Sequence, residues 1–585
     1  MRCVNRAIAA MLLLPLFLPA QVIPPDRLGG WAHAGVYEGA TKGIPQRSVV
    51  FCDVKTGIPG YPRVARGDGI QDDTEVLQAA LRACPEGRVV YLPKGTYRIT
   101  RPLIIDKGIV VRGEGPAGTK IIQEAPLPAF KIQGGGTSFY YAAVSGHAEL
   151  GIVQAVLSGL SVGSDTIVID DATEFMPGDV VLIDQLNDPA LVTPNGTGGT
   201  CTWCGLGAGT DQAANGSRAM GETLIIAKKS RNAVTFHRPL RYRYERQYEP
   251  RLVILSHQPV RNAGIEDLSL TSAPGNQEGS GITMAYCVHC WVRNVESFNF
   301  PQKHVEIEWA SCGNEIRDSF FHHTPRFDAD HGYGINIHNY SADNLIENNV
   351  LYGLHTGIII GSAGGSGNVV AYNFVDDTRH WQPHWFLSQL GTHGAHTFMN
   401  LFEGNVCGKV GMDAYWGSGS HSVFFRNYIT RENAGQPVTS DINAVNIEAS
   451  NYFITVAGNI LGKPGCRGPA EQIPFRDSRE NPVLWKVGYD GARIGYPTDP
   501  KVAATLIKTG NWECATGAVQ WASDDRQIPD SLYLASKPLW FGALIWPPFT
   551  PERPGFDPAH VNPIPAQLRF AQWLKSPGPD GPAIR

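Results

Sequence analysis

Four segments, Ile346-Glu-Asn-Asn-Val-Leu-Tyr352, Val370-Ala-Tyr-Asn-Phe-Val-Asp376, Phe402-Glu-Gly-Asn-Val-Cys-Gly408 and Val456-Ala-Gly-Asn-Ile-Leu461, repeat one pattern. Weaker copies begin at Gly264 (GIEDLSL), Val292 (VRNVESF), Ile316 (IRDSFF) and Phe425 (FRNYIT). Aligned, they place equivalent residues at Leu268, Val295, Ser319, Asn349, Asn373, Asn405, Asn427 and Asn459, at intervals of 22 to 32 residues. Such a period with an apolar alternating core is that of a parallel β solenoid, in which each coil buries a stripe against its neighbours. Five Asn in successive equivalent turns predict a ladder of side-chain amides, each bonded to its copy one coil away at the strand spacing of about 4.8 Å.

The composition agrees. The 585 residues include 65 Gly and 42 Pro, and only 18% are charged. That is too turn-rich for a coiled coil, and 10% aromatic residues supply more surface to bury than a disordered chain has. The expected class is all-β.

Arg2 and Arg6 precede the apolar run Ala7–Leu18 and a small residue, Ala20. This is the layout of a cleaved secretory signal over residues 1–20, too short to span a bilayer. Export is therefore expected, to the periplasm or the exterior, with no membrane span. Without the signal the chain carries 47 basic and 54 acidic residues, a balance of −7, which gives no footprint for a nucleic-acid partner. Ten Cys remain, too few for a disulfide scaffold of this size. Cys201-Thr-Trp-Cys204 and Cys287-Val-His-Cys290 superficially look like metal knuckles, but 83 residues separate them. Export favours disulfides over zinc, and Cys201 is expected to bridge Cys204 or a distant Cys.

Between Arg66 and Gly115 the chain reads RGDGIQDDTEVLQAALRACPEGRVVYLPKGTYRITRPLIIDKGIVVRGEG. Asp72 or Asp73 caps an expected helix whose apolar residues Val76, Leu77, Ala80 and Leu81 recur at helical spacing, and short strands follow. GDG-x-x-DDT, then VVYLPKGTYRI and VVRGEG, resembles the opening of the rhamnogalacturonase/epimerase-like pectate lyase domain. That resemblance covers about 50 residues. It implies a right-handed parallel β-helix with an N-terminal capping helix, in a superfamily that contains polysaccharide lyases, glycoside hydrolases and phage tailspikes.

The expected organisation is an N-terminal cap with first coils over 21–158, a β-rich insertion over 159–251, the main coils with the site over 252–461, and an irregular tail over 462–585. In the insertion, alternating strands such as TIVID and VVLID flank a Gly/Thr-rich loop from Pro194 to Gly221, which suits antiparallel hairpins covering one end of a groove. The tail's Trp512, Trp521, Tyr533, Trp540 and Trp546 read as packing on the open solenoid end.

A second strand in each coil has inward residues such as Val305 and Ile307, or Ile335 and Ile337. Their neighbours must then face outward. That outward set is Thr283, Glu306, Glu308, Asn336, His338, Ile359, Asp413, Asn446 and Glu448, a band of acid, amide and imidazole suited to a substrate groove. Twelve of 17 His lie between His289 and His421, several in the long excursions RFDADHGYGINIHNY and VDDTRHWQPHWFLSQLGTHGAH, the usual composition of site loops.

Two chemistries fit. Hydrolysis needs two carboxylates roughly 5 to 9.5 Å apart, with Asp376, Asp377, Asp413, Glu306 and Glu448 as candidates; the order VDD then THG resembles the paired Asp and later Gly-His-Gly of polygalacturonases. β-Elimination on a uronic-acid chain is what the pectate lyase resemblance implies. It needs a base for the proton alpha to a carboxylate, an acid for the leaving oxygen, and a cation or strong donors for that carboxylate. His338, His393 or His396 would be the base, Tyr333, Tyr340 or Tyr415 the acid, and Arg326 or Arg379 the neutralising group. Trp381, Trp385 and Trp416 would stack on sugar faces. The acidic band would hold calcium if a metal is used, although no compact Asp-rich loop is present. No G-x-S-x-G elbow, Walker loop or dinucleotide fingerprint occurs. A non-catalytic binding or surface solenoid is the alternative from another class.

Overall fold

The computed structural model describes residues 22–134, 150–205, 216–255, 258–382 except 362 and 364, 384–471, 482–489 and 498–575. The expected signal segment, 1–20, lies outside them. Among the described residues no helix is long and apolar enough to cross a membrane.

Parallel strands stack coil upon coil into three long faces, a right-handed parallel β-helix. The site face is a ten-stranded sheet running through Leu103–Ile105, Phe130–Gln133, Ile282–Ala285, Lys303–Glu308, Tyr333–Ile337, Thr356–Ile360, Leu390–Thr392, Val410–Met412, Val445–Ile447 and Trp485–Val487. Its inward residues are in register: Ile282, Val305, Ile335, Ile358, Leu390, Val410 and Val445 pair in turn, and all are buried in one continuous core. This stacking of like on like fixes the register, because a slip of one residue would turn that stripe outward.

The Asn ladder is present. Asn349 donates both its backbone N–H and its Nδ2 to Asn373 Oδ1, at 2.9 and 3.0 Å. The same double bond links Asn373 to Asn405, Asn405 to Asn427 and Asn427 to Asn459. The residue before each ladder position is left-handed, with φ of +48° to +55° at Asn348, Tyr372 and Arg426 and +67° at Gly404 and Gly458. Such a conformation costs about 1–2 kcal/mol without glycine, and the amide bonds on the next residue offset it. A second ladder, which the sequence alignment missed, runs through Asn314, Asn344, Asn368 and Asn400.

The expected end of the coils at Leu461 is one coil early. Asn459 bonds onward to Asn511, Trp485–Val487 joins the site sheet, and Ile507–Thr509 and Asn511–Glu513 join the other two faces. The cause is a 52-residue interval, which breaks the period while the ladder chemistry continues. Beyond it the tail packs on the coils: Tyr533 Oη donates to Glu347 Oε1 (2.7 Å), and Trp546 Nε1 to Tyr372 Oη (2.9 Å).

At the opposite end the helix Thr74–Ala83 buries Val76, Leu77, Ala80 and Leu81 in the core. Asp73 sits at its N-cap, yet its carboxylate accepts from Arg66 and Gly67 N–H instead; Asp72 accepts from Thr74 N–H. Gln78 reaches the edge strand of the site sheet, donating to Ile104 O (3.0 Å) and accepting from Ile104 N–H (2.8 Å). Two of that edge's open backbone groups are thereby satisfied.

The insertion is a closed six-stranded antiparallel barrel, wider than expected: Leu150–Ser158 and Arg251–Leu255 pair with each other and belong to it. Arg238 fastens it to the coils by bridging Glu222 (2.6 Å) in the barrel and Asp343 (2.7 Å) in a coil turn. Cys201 and Cys204 bridge each other, and Cys466 pairs with Cys514. Cys287 and Cys290 are buried free thiols in the core, so the second Cys pair is packing.

Candidate active site

Alternation along the ten-stranded sheet produces two outward rows. In the first, Thr283, Glu306, Asn336, Ile359, Gly391, Gly411, Asn446 and Lys486 stand side by side on successive coils. In the second, two residues further along, His338, Gly361, His393, Asp413 and Glu448 follow one another, each donating its N–H to the preceding coil. The expected outward set is thus where alternation put it. The strand Leu390–Thr392 was expected as loop, and its appearance brings His393 into the row.

Gly361, Gly391 and Gly411 carry no side chain of their own in the middle of these rows, and the His338 ring and the Ser388 hydroxyl lie over Gly361 and Gly411. A Cβ on Gly391 would lie 1.9 Å from Gly411 O, so only glycine fits. Polar groups surround this floor. Asn336 is buried on one side, and neither of its amide atoms has a hydrogen-bond partner among the described residues. An unpartnered buried amide costs about 1–3 kcal/mol. Glu306 pairs with Lys303 (3.3 Å), which also holds Asp330 (2.7 Å). Burial, then the neighbouring Glu306 charge, pushes the Glu308 carboxyl well above the usual range.

On the other side His393 Nδ1 lies 2.7 Å from Asp413 Oδ2. Asp413 accepts at that oxygen, so Nδ1 carries the hydrogen and Nε2 is left as the proton-exchanging atom. Burial pulls the imidazole pKa down, but the Asp413 charge and hydrogen bond outweigh it, and the net displacement is upward. Asp413 Oδ1 accepts from Tyr415 N–H (2.9 Å), and the Tyr415 ring lies nearly parallel to His393, centroids 6.0 Å apart. Glu448 accepts from Ala414 N–H (2.9 Å) and Asn446 Nδ2 (3.1 Å), with Lys486 Nζ at 3.5 Å. His338 differs: burial first, then Lys303 and His393, hold its pKa down at about 3, so it stays neutral.

Several expected site residues lie elsewhere. Asp376 and Asp377 stand on Phe374–Thr378, a strand of another face. Asp377 is held by Arg379 (3.0 and 2.7 Å), and Asp376 by Ala434 N–H (2.9 Å). The alternation that locates outward residues says nothing about which face a strand joins, so the VDD motif misled. His396 is fully buried against the barrel, its Nε2 on Ser420 Oγ (2.9 Å) and its pKa lowered to about 3 by burial; it has no access to substrate. Tyr340 is buried with its hydroxyl on Arg218 O. Arg326 is occupied by Glu278 and Asp328. Trp385 bridges Ser440 by its backbone and is partly buried.

Trp381 is 61% exposed. It ends a line of rings, Tyr333, His355, His380 and Trp381, with successive centroids 5.4, 5.4 and 5.3 Å apart. His355 was not singled out from the sequence, although the clustering of His there was the available signal. Burial holds the Tyr333 hydroxyl up at about 12, which keeps it a donor. Among the described residues no group of three or more His, Cys, Asp or Glu is arranged to hold a metal ion. The four oxygens of Asp413 and Glu448 all accept from N–H donors instead, a poor donor set for calcium.

No curated protein sequence matches the chain. Among solved structures it is similar to the tailspike protein gp49 from Pseudomonas phage LKA1, at 18% identity and TM-score 0.42, over 68% of this chain and 59% of that one. It is also similar to the mannuronan C-5 epimerase AlgE6 A-module of Azotobacter vinelandii (14% identity, 72% of this chain and 94% of that one, TM-score 0.35). The polygalacturonase from Erwinia carotovora matches at 12% identity, over 74% and 93% of the two chains, with TM-score 0.31. The chain spans less than two thirds of the phage tailspike's length, and at such identities activity has to be argued from the site itself. Residues 63–138 match the family described as rhamnogalacturonase A/epimerase, pectate lyase-like, and in fold the chain is a right-handed parallel β-helix.

Proposed function

We propose that the protein is an exported carbohydrate-active enzyme that cleaves a uronic-acid-containing polysaccharide by β-elimination, with His393 as the base. The observation that carries this reading is the His393–Asp413 pair, at 2.7 Å, beside a floor of glycines on a row of outward polar groups. Asp413 fixes the tautomer and raises the basicity of Nε2. In the step, Nε2 takes the proton alpha to the uronate carboxylate, and the electron pair left on that carbon forms the new double bond. The glycosidic C–O bond breaks, and a tyrosine hydroxyl protonates the leaving oxygen; Tyr415, 48% exposed beside His393, is suited to this. The substrate carboxylate needs a cation or strong donors to neutralise it as charge develops.

Hydrolysis is less well supported. With Asp376 and Asp377 on another face, the adjacent carboxylates near His393 are Asp413 and Glu448, and every oxygen of both is already an acceptor. Glu308 is four strands from Asp413, about 19 Å at the usual strand spacing, too far for a paired-carboxylate mechanism. The experiment is incubation of the mature protein with a panel of uronate and neutral polysaccharides, following reducing ends and the ultraviolet band of unsaturated uronate together. Both signals rising supports the proposal. Reducing ends alone would make the enzyme a hydrolase, and neither would leave a binding solenoid.

A further inference from the structure

The barrel insertion reaches the site with a short hairpin, Asn195–Gly196 paired with Gly199–Thr200. Thr197 N–H donates to Ala414 O (3.3 Å) and Gly198 N–H to Tyr415 O (2.8 Å). On the next residues Thr193 and Ser418 exchange two bonds, each 2.9 Å. The approach is close: a Cβ on Gly196 would lie 2.1 Å from Ala414 O, and one on Gly198 2.4 Å from the Tyr415 ring. The hairpin is therefore built to lie against the segment that carries Tyr415.

Immediately after it, the Cys201–Cys204 disulfide closes a four-residue loop. Both sulfurs are buried, while Trp203 between them is 44% exposed. The bridge turns an indole outward on a short, tied loop. Its ring meets Trp416 edge to face at 4.8 Å, Trp416 meets Tyr415 at 5.1 Å, and Tyr415 lies parallel to His393. Trp485 and Trp512, on the last coil, are buried in the core. Trp203 instead forms an open corner continuous with the catalytic pair.

We propose that Trp203, supplied by the barrel insertion, is a substrate-binding platform that stacks on a pyranose ring one or more units from the scissile bond. Aromatic faces suit the apolar C–H face of a pyranose, and a rigid indole loses little entropy on binding. The line Tyr333–His355–His380–Trp381 on the other side of His393 completes a path with rings on both sides of the reacting centre. The chain would then lie across the sheet, along the strands. The proposal rests on the polysaccharide reading and adds the orientation and the role of the insertion.

The test is affinity electrophoresis of the inactive His393→Ala protein through gels containing polygalacturonate, alginate or xylan, compared with His393→Ala carrying Trp203→Ala or Trp203→Phe. Retardation of His393→Ala in at least one gel, at least tenfold weaker affinity with Trp203→Ala at unchanged melting temperature, and recovery with Trp203→Phe, is the expected result. Equal retardation of all three would overturn the platform while leaving the polysaccharide reading standing. No retardation of His393→Ala in any gel would overturn both.

Discussion

His393 and Asp413 stand on adjacent coils of the site sheet with Nδ1 2.7 Å from Oδ2. Nothing in either local sequence brings them together; the coil register does. Leu390 pairs with Val410 and Thr392 with Met412, so the residues that follow meet on the outer face. Replacing Asp413 by Asn keeps the shape but removes the charge and frees the imidazole to turn to the wrong tautomer. The rate should fall by about 10²- to 10⁴-fold.

The pH profile carries a second signature. A base must be neutral, and the His393 pKa is displaced upward by Asp413 despite burial. Activity in the wild type should therefore rise with pH through a value above the ordinary histidine range, near 6.5. In Asp413→Asn the remaining burial lowers the imidazole pKa, so the acid limb of the residual activity should move to lower pH. An unmoved limb would assign it to another group.

The ladder sets the stability of the coils. Asn373→Ala strips the Asn349 N–H of its acceptor, leaves Asn349 Nδ2 with Ile316 O alone, and removes the Asn373 donor from Ile346 O. At about 1–3 kcal/mol for each buried group left unpaired, the loss should be about 3 kcal/mol or more, read as a lower midpoint in denaturant. The same substitution at exposed Asn195, outside the ladders, should change little.

The glycine floor makes a contrasting pair. A Cβ on Gly391 meets backbone, Gly411 O at 1.9 Å, whereas one on Gly411 meets the Ser388 hydroxyl at 2.2 Å. Backbone in a stacked sheet cannot retreat, but a serine side chain can rotate. Gly391→Ala should cost roughly 3 kcal/mol or more, within the range for overpacked sites, and Gly411→Ala less than half of that by thermal melting.

Tail docking should depend on pH. Glu403 is fully buried beneath the tail, accepting from Leu532 N–H (2.9 Å) and Tyr372 Oη (3.2 Å). Burial raises its pKa to about 7, against the lowering effect of these hydrogen bonds. A raised folded pKa contributes stability that is full below the unfolded value and is lost as pH rises through the folded one, here from about 4.5 to about 7. Glu403→Gln has no such titration. Relative to wild type, its melting temperature should be higher at pH 8 than at pH 5; an equal difference at both would exclude the effect.

Much of the fold is legible before any coordinates, because a solenoid repeats its physics. One apolar pair and one Asn per coil suffice to give the period, the ladder and the two outward rows, one with Glu306 and Asn336 and the other with Asp413 and Glu448. What stayed hidden depends on which face a segment joins. The Asp376–Asp377 pair reads like a catalytic motif, but the strand Phe374–Thr378 belongs to another face. The three-residue strand Leu390–Thr392 is too short, with Gly391 at its centre, to show alternation. Trp203 was unreadable as a site residue because its neighbours, Tyr415 and Trp416, are more than 200 positions away in the chain.

The central claim is that proton abstraction by His393 breaks the polysaccharide. Its most direct test is the initial rate of unsaturated-uronate formation by wild type and by His393→Ala, at matched fold by melting temperature, on the polysaccharide that the panel identifies. The account predicts unsaturated ends with wild type and a loss of about 10²- to 10⁴-fold with His393→Ala. An undiminished rate with His393→Ala, or new reducing ends without unsaturation in the wild type, would contradict it.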